Sequence, residues 1–317
     1  MHFDNSIIIL FTSLAVVLTL ATAAGEVLRR RSAAGEARVV IDNLNARIRA
    51  WWLMIVIFLM ALALGHTGAT VLFALLSFLA LREFVTVSPT ARGDHRALCW
   101  AFFVVLPAQY WLVYTEWYGL FAIFVPVYAF LFLPIRQALA GDVKQFLMRS
   151  AIVQWALMVC VYCLSHAPAL LMLKLPGSRY GRDGGALLLF FLVCVVELSD
   201  VLQYVWGKLL GRHKVAPLLS PAKTWEGFLG GVLSASAAGV ALWWITPFSP
   251  WQAGALALIA TLLGFCGGLV MSAIKRDRGV KDWGALIEGH GGILDRLDSL
   301  CFAAPVFFHL TRYFFSV

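Results

Sequence analysis

Charge is scarce in this sequence. Only 13% of its 317 residues are charged, whereas 61% are hydrophobic. A water-soluble domain carries about a quarter charged residues and about half apolar ones. That shortage excludes a soluble globular chain, because too little polar surface exists to cover a body facing water. The signatures of many soluble enzymes are missing as well. No Gly-rich loop closes with Gly-Lys-Ser or Gly-Lys-Thr, no dinucleotide fingerprint occurs, and neither Gly-x-Ser-x-Gly nor His-Glu-x-x-His is present. The six cysteines lie mostly in apolar runs and have neither metal-site nor disulfide-framework spacing. They read as small packing residues. His66, His166 and His309 lack ligand-spaced partners and read as packing or interfacial residues.

What is present is apolar sequence in long runs. A membrane-crossing helix needs roughly 20 mostly apolar residues. Ten runs are candidates, near 6–24, 51–65, 68–82, 98–115, 119–134, 151–173, 185–207, 228–246, 252–273 and 293–315. Only His66-Thr67 separates the second from the third, so they read as a tight helical hairpin or a re-entrant pair, and the span count is eight to ten. The expected fold is an all-α polytopic bundle, with N-terminal transmembrane helices over 1–180 and a C-terminal catalytic region over 181–317. Ala21-Thr22-Ala23 resembles a leader cleavage site, but no Lys or Arg precedes the first run and Arg29-Arg30-Arg31 follow it. That pattern suits a retained first helix with its N-terminus outside. Val40, Leu44 and Ile48 recur at helical spacing, as in a helix lying along headgroups.

The net charge is +8. Of the 25 Lys and Arg, 21 fall near 25–50, 82–97, 136–150, 207–226 and 274–296, which a ten-helix layout puts on one side. Lys174, Arg179, Arg182 and Arg312 fall on the other. Basic residues collect in cytoplasmic loops, so the positive balance calls for no nucleic acid. The expected setting is a bacterial plasma membrane with the polar clusters of 207–226 and 274–296 both facing the cytoplasm.

Those two clusters hold the chemistry. Ser272 to Asp298 contains ten charged residues among 27, set between apolar runs. Asp295 and Asp298 are three apart and share one helical face. They read either as first-turn dipole partners or as ligands to Mg²⁺, which favours one or two carboxylates together with phosphate oxygens. Lys275, Arg276, Lys281 and Lys223 carry positive charge suited to a triphosphate, or simply flank membrane segments. Gly289, Gly291 and Gly292 permit close approach to a ligand, or make a turn. Upstream, Glu197 and Asp200 lie within an apolar helix, where acids are costly and mark sites. Ser220-Pro221 resembles an N-cap followed by a first-turn proline, and a helix start beside Lys223 and Thr224 suits a phosphate. Together the parts fit phosphoryl or nucleotidyl transfer, which depends on positioning and charge neutralisation.

The run Ser272-x-x-Lys275-Arg276-x₄-Lys281-Asp282-x-Gly284-x₄-Gly289-His290-Gly291-Gly292-x₂-Asp295-Arg296-x-Asp298 resembles the signature of the phosphatidate cytidylyltransferases. So does the upstream set of Asp200, Tyr204, Gly207, Gly211 and Ser220-Pro221-x-Lys223-Thr224-Trp225-Glu226-Gly227. The resemblance covers roughly 190–305. It implies a membrane enzyme that joins CTP to phosphatidate with Mg²⁺, giving CDP-diacylglycerol and pyrophosphate. It further implies Asp295 as a metal ligand, supported by Asp298, Asp282 and the distant Asp200. Lys275, Arg276, Lys281 and Lys223 would contact phosphates. His290, Gly291 and Gly292 would shape the nucleotide pocket, and Ser220, Thr224 and Ser272 would bind substrate. The implied partners are CTP, phosphatidate and membrane lipids, with a homodimer as an open option.

Three departures from the family pattern stand out. Gly268 and Met271 replace acids that many bacterial members carry, Glu288 replaces a proline, and Gln203 replaces an alanine. Gln203 and Glu288 point to a paralogue with a different lipid acceptor. The competing readings are a CTP-dependent polyprenol-type kinase, a cytidylyltransferase for another lipid phosphate, and a lipid or ion transporter gated by Glu197 and Asp200. A CDP-alcohol phosphotransferase is disfavoured, because Asp183-Gly184-Gly185-Ala186 does not continue into its motif.

Overall fold

The computed structural model describes residues 5–31, 36–176, 184–287 and 291–316. Among them, ten helices fall on the ten apolar runs. They are α1 (Asn5–Arg31), α2 (Glu36–Ala63), α3 (Gly65–Val87), α4 (Arg92–Tyr114), α5 (Tyr118–Ala138), α6 (Phe146–Met172), α7 (Gly184–Leu209), α8 (Trp225–Ala241), α9 (Pro250–Asp277) and α10 (Leu294–Phe315). Six of them, α3 to α7 and α9, are long and apolar enough to cross a membrane. The chain is a multi-pass, all-α membrane protein. Of the others, α8 has 17 residues, α10 opens with Asp295, Arg296 and Asp298, and the apolar part of α2 is Ile48–Ala63.

Local chemistry sets the helix ends. The Ser249 hydroxyl accepts from Gln252 N–H while the Gln252 side chain accepts from Ser249 N–H, and Pro250 supplies the first turn of α9. α2 and α3 form a helical hairpin with Leu64 alone between them. The segment from Val39 to Ile48, read as helical, is helical and continues without a break into the rest of α2. α4, α5 and α6 each contain a wide π-type turn, at Ala101–Val105, Phe124–Ala129 and Met158–Cys163. Pro107, Pro126 and Pro168 lie in or near these turns, where a missing N–H disturbs the helical ladder.

One core runs through both halves. Phe73 and Leu81 of α3, Phe121 of α5, Leu164 of α6, Phe191 of α7 and Phe308 of α10 are all buried in it. His166 is fully buried against Phe121, Tyr162 and Phe308, the packing role expected for it. α7 and α8 pack closely because Gly231 leaves room for Gln203, whose side chain a Cβ there would strike. Gly267 of α9 does the same for α10, where a Cβ would come within 2.8 Å of the Asp298 carbonyl oxygen.

The basic segments meet at one end of the bundle. Arg149 pairs with Asp94 and Asp142. Arg276 Nε donates to the Leu219 carbonyl at 3.3 Å, and Glu83 accepts from the backbone of Ile293 and Leu294. The segments 82–97, 136–150, 207–226 and 274–296 therefore share one end, as the charge count implied. Between α7 and α8 the chain forms a small antiparallel hairpin, β1 (Lys214–Ala216) and β2 (Ser220–Thr224), with Lys214 opposite Thr224 and Ala216 opposite Ser220. This corrects the expected helix start at Ser220-Pro221. α8 begins at Trp225, and the cap is Thr224, whose Oγ1 accepts from Gly227 N–H at 3.1 Å.

Candidate active site

Helix α10 divides the polar residues at this end into two groups. The first surrounds Asp295, which is buried. Lys275 Nζ, from the last turn of α9, donates to Asp295 Oδ1 at 2.7 Å. Trp283 N–H and Gly292 N–H donate to Oδ2 at 2.8 and 2.9 Å. A carboxylate has about four acceptor positions, so three are used. Asp295 thereby ties the end of α9, the loop after it and its own helix together. Gly291 has φ +85° there, a left-handed conformation that disfavours other residues. Its carbonyl accepts from Ile287 N–H at 2.8 Å.

The second group faces a cavity of about 970 Å³. Of the five acids that line it, Glu197, Asp200, Asp282, Asp295 and Asp298, Ser299 links two. Its Oγ donates to Asp200 Oδ2 at 2.8 Å, and its N–H donates to Asp298 Oδ1 at 2.8 Å. Lys223 reaches in from β2. Its ammonium lies 4.9 Å from the centre of the Phe265 ring and makes no salt bridge among the described residues. Burial pushes the Lys223 pKa down, against the opposing pull of the Asp298 and Asp200 carboxylates. A Cβ added to Gly268 would stand 2.7 Å from Lys223 Nζ, so the missing side chain at 268 gives that ammonium its room. Arg296 also lines the cavity, and its Nε is buried without a hydrogen-bond partner among the described residues. Unpaired buried donors are expensive.

The cavity collects most of the residues expected from sequence: Asp200, Ser220, Lys223, Thr224, Lys281, Asp282, Gly291, Asp295 and Asp298. Four do not line it. Lys275 is committed to Asp295, and Arg276 binds the Leu219 and Val280 carbonyls. The Ser272 hydroxyl donates to the Gly268 carbonyl at 2.6 Å, and Gly292 is buried against Glu83. His290 and Glu288 lie outside the described residues. Gln203 lines the cavity and donates to Ser199 Oγ at 2.8 Å.

No cluster of three or more His, Cys, Asp or Glu suited to a metal occurs among the described residues. Two acids in one cavity beside unpaired cations fit a Mg²⁺ ion that arrives with phosphate oxygens, since such ions rarely use an all-protein cage. They do not fit a closed zinc-type site.

A model of the cytidylyltransferase family covers residues 45–314. The chain belongs to the cytidylyltransferase family. That places it among nucleotidyltransferases. The chain is 43% identical over 272 residues to the uncharacterized protein YnbB of Escherichia coli strain K12, covering 86% of this chain and 88% of that protein. It is 40% identical over 127 residues to a phosphatidate cytidylyltransferase of Staphylococcus aureus strain COL, covering 39% of this chain and 49% of that protein. It is 36% identical over 172 residues to a phosphatidate cytidylyltransferase of Mycobacterium leprae strain TN, covering 54% of this chain and 53% of that protein. The chain thus matches only about half the length of these two named enzymes.

Sequence reasoning gave no role to several residues of the site. Ser299 follows Asp298 directly and had a local signal in its position. Arg296 stood in the motif without an assigned part. Ile48 and Trp51 of α2 line the cavity with Val201, Tyr204, Phe228 and Phe265, forming an apolar wall of which only Tyr204 stood in the motif.

Proposed function

We propose that the protein transfers the cytidylyl group of CTP to phosphatidate at the cytoplasmic face of a bacterial plasma membrane, forming CDP-diacylglycerol and pyrophosphate. A phosphate oxygen of phosphatidate attacks the α-phosphorus of CTP in line. The bond from that phosphorus to the bridging oxygen breaks, and pyrophosphate leaves with the electron pair. Lys223, Arg296 and Lys281 hold the phosphate oxygens and stabilise the charge that develops on the leaving group. Asp298 and Asp200 would hold Mg²⁺, which supplies charge neutralisation across the phosphates when bound. Asp295 and Lys275 position these groups from behind. The lipid lies along the apolar wall of Ile48, Trp51, Val201 and Tyr204, with its headgroup toward Asp298.

One observation carries this reading. One cavity joins Lys223, Lys281 and Arg296 and five acids to an apolar wall, so a triphosphate and a lipid phosphate can meet there. The test uses purified protein, Mg²⁺, phosphatidate or a lipid alcohol, and CTP labelled at the α- or γ-phosphorus. The expected result is α-label in lipid with phosphatidate alone. Label entering lipid only from the γ-position, with an alcohol, would make the protein a lipid kinase and overturn the proposal.

A further inference from the structure

Glu83 lies near the end of α3, some two hundred residues from the signature loop. Its Oε1 accepts from Ile293 N–H at 2.9 Å and its Oε2 from Leu294 N–H at 2.8 Å. These two amides belong to the first turn of α10, where the helix leaves N–H groups free and favours a negative charge. The loop is shaped around this carboxylate. A Cβ on Gly284 would come within 2.7 Å of Glu83 Oε1, and one on Gly292 would strike Oε2. The next residue, Phe84, stacks on Trp283 with ring centres 5.1 Å apart, and Trp283 N–H in turn holds Asp295.

We infer that Glu83 is a positioning residue for the cytidylyl-transfer site, an inference that rests on the function proposed above. It fixes the loop carrying Lys281, Asp282 and Gly291 against the start of α10. Its carboxylate is a built-in anion on two of the free amides there. The substrate phosphates are thereby left to Lys223, Arg296 and Lys281 on the cavity side. A first-half helix thus completes a site whose motifs all lie in the second half.

The test compares Glu83→Gln, Glu83→Asp, Glu83→Ala and Gly292→Ala with the unaltered protein. Gly292→Ala displaces the carboxylate without removing it. Amide hydrogen exchange is measured along the chain, together with kcat and KM for CTP. Exchange at Ile293 and Leu294 should rise about tenfold in Glu83→Gln and about a hundredfold in Glu83→Ala, one factor of ten per charge-assisted bond lost. Exchange in α5 and α6 should stay unchanged, and kcat should fall in step with the local exchange. Glu83→Asp, one methylene short, should behave like Glu83→Gln. Unchanged exchange at these amides, a uniform rise across all helices, or full activity in Glu83→Ala would each overturn the inference. Exchange reads the contact whether or not lipid product forms. A failure of cytidylyl transfer in the unaltered protein would therefore count against the proposed reaction and stay distinct from the Glu83 result.

Discussion

Asp295 and Asp298 sit one turn apart on α10 in opposite chemical situations. Asp295 reaches the same cavity as Asp298, but it is buried, paired with Lys275 and held by two backbone amides. Asp298 faces the cavity with Asp200, Lys223 and Arg296, where Lys223 makes no salt bridge and Arg296 Nε has no partner among the described residues. Identical side chains at helical spacing are therefore engaged differently. Where the acceptor positions are filled by the protein, the acid holds the fold together. Where neighbouring donors stay unfilled, the site is ready for a ligand.

The largest effect that would sharpen this contrast is on stability. Asp295→Asn leaves the Lys275 ammonium without its counter-charge among buried groups. It should lower stability by about 3–5 kcal/mol, read as a large fall in unfolding midpoint in detergent. An unchanged midpoint would move Asp295 out of the structural group. The next effect falls on chemistry. Asp298→Asn should cut turnover on the order of 10²–10³-fold, the scale for losing one electrostatic contact to a transition state, with the unfolding midpoint unchanged. The smallest effect is a pH shift. Burial lowers the Lys223 pKa, so in the free enzyme the ammonium loses its proton as pH rises through a value below the ordinary 10.5. CTP capture should be full below that value and fall above it. Arginine keeps its charge throughout, so Lys223→Arg should move the alkaline limb of kcat/KM to higher pH. An unmoved limb would remove Lys223 from phosphate binding.

Much of the fold could be read from composition, because every helix longer than a few turns left an apolar run. The grouping of basic segments at one end followed from counting Lys and Arg. The start of α8 was misread because Ser220-Pro221 satisfies the local rules for a cap, while the pairing of β2 with β1 takes those residues as strand. Both acids of α10 were legible as a pair, but their different roles were not. That difference depends on Lys275, Trp283 and Gly292 folding back onto Asp295, and spacing along one helix carries no such information. Glu83 was invisible for the same reason, since its partners are 210 and 211 residues away. The apolar wall from α2 likewise belongs to tertiary packing. The family signature named most of the residues that line the cavity; the hydrogen bonds separate those that the protein itself engages from those that it leaves open.

The most direct test measures CTP- and phosphatidate-dependent pyrophosphate release by Asp298→Asn, Asp295→Asn and the unaltered protein, with the folded fraction of each determined in the same sample. The account predicts that Asp298→Asn is fully folded and nearly inactive. It predicts that activity lost in Asp295→Asn tracks the folded fraction lost. Near-normal turnover in Asp298→Asn, or a fully folded and inactive Asp295→Asn, would contradict it.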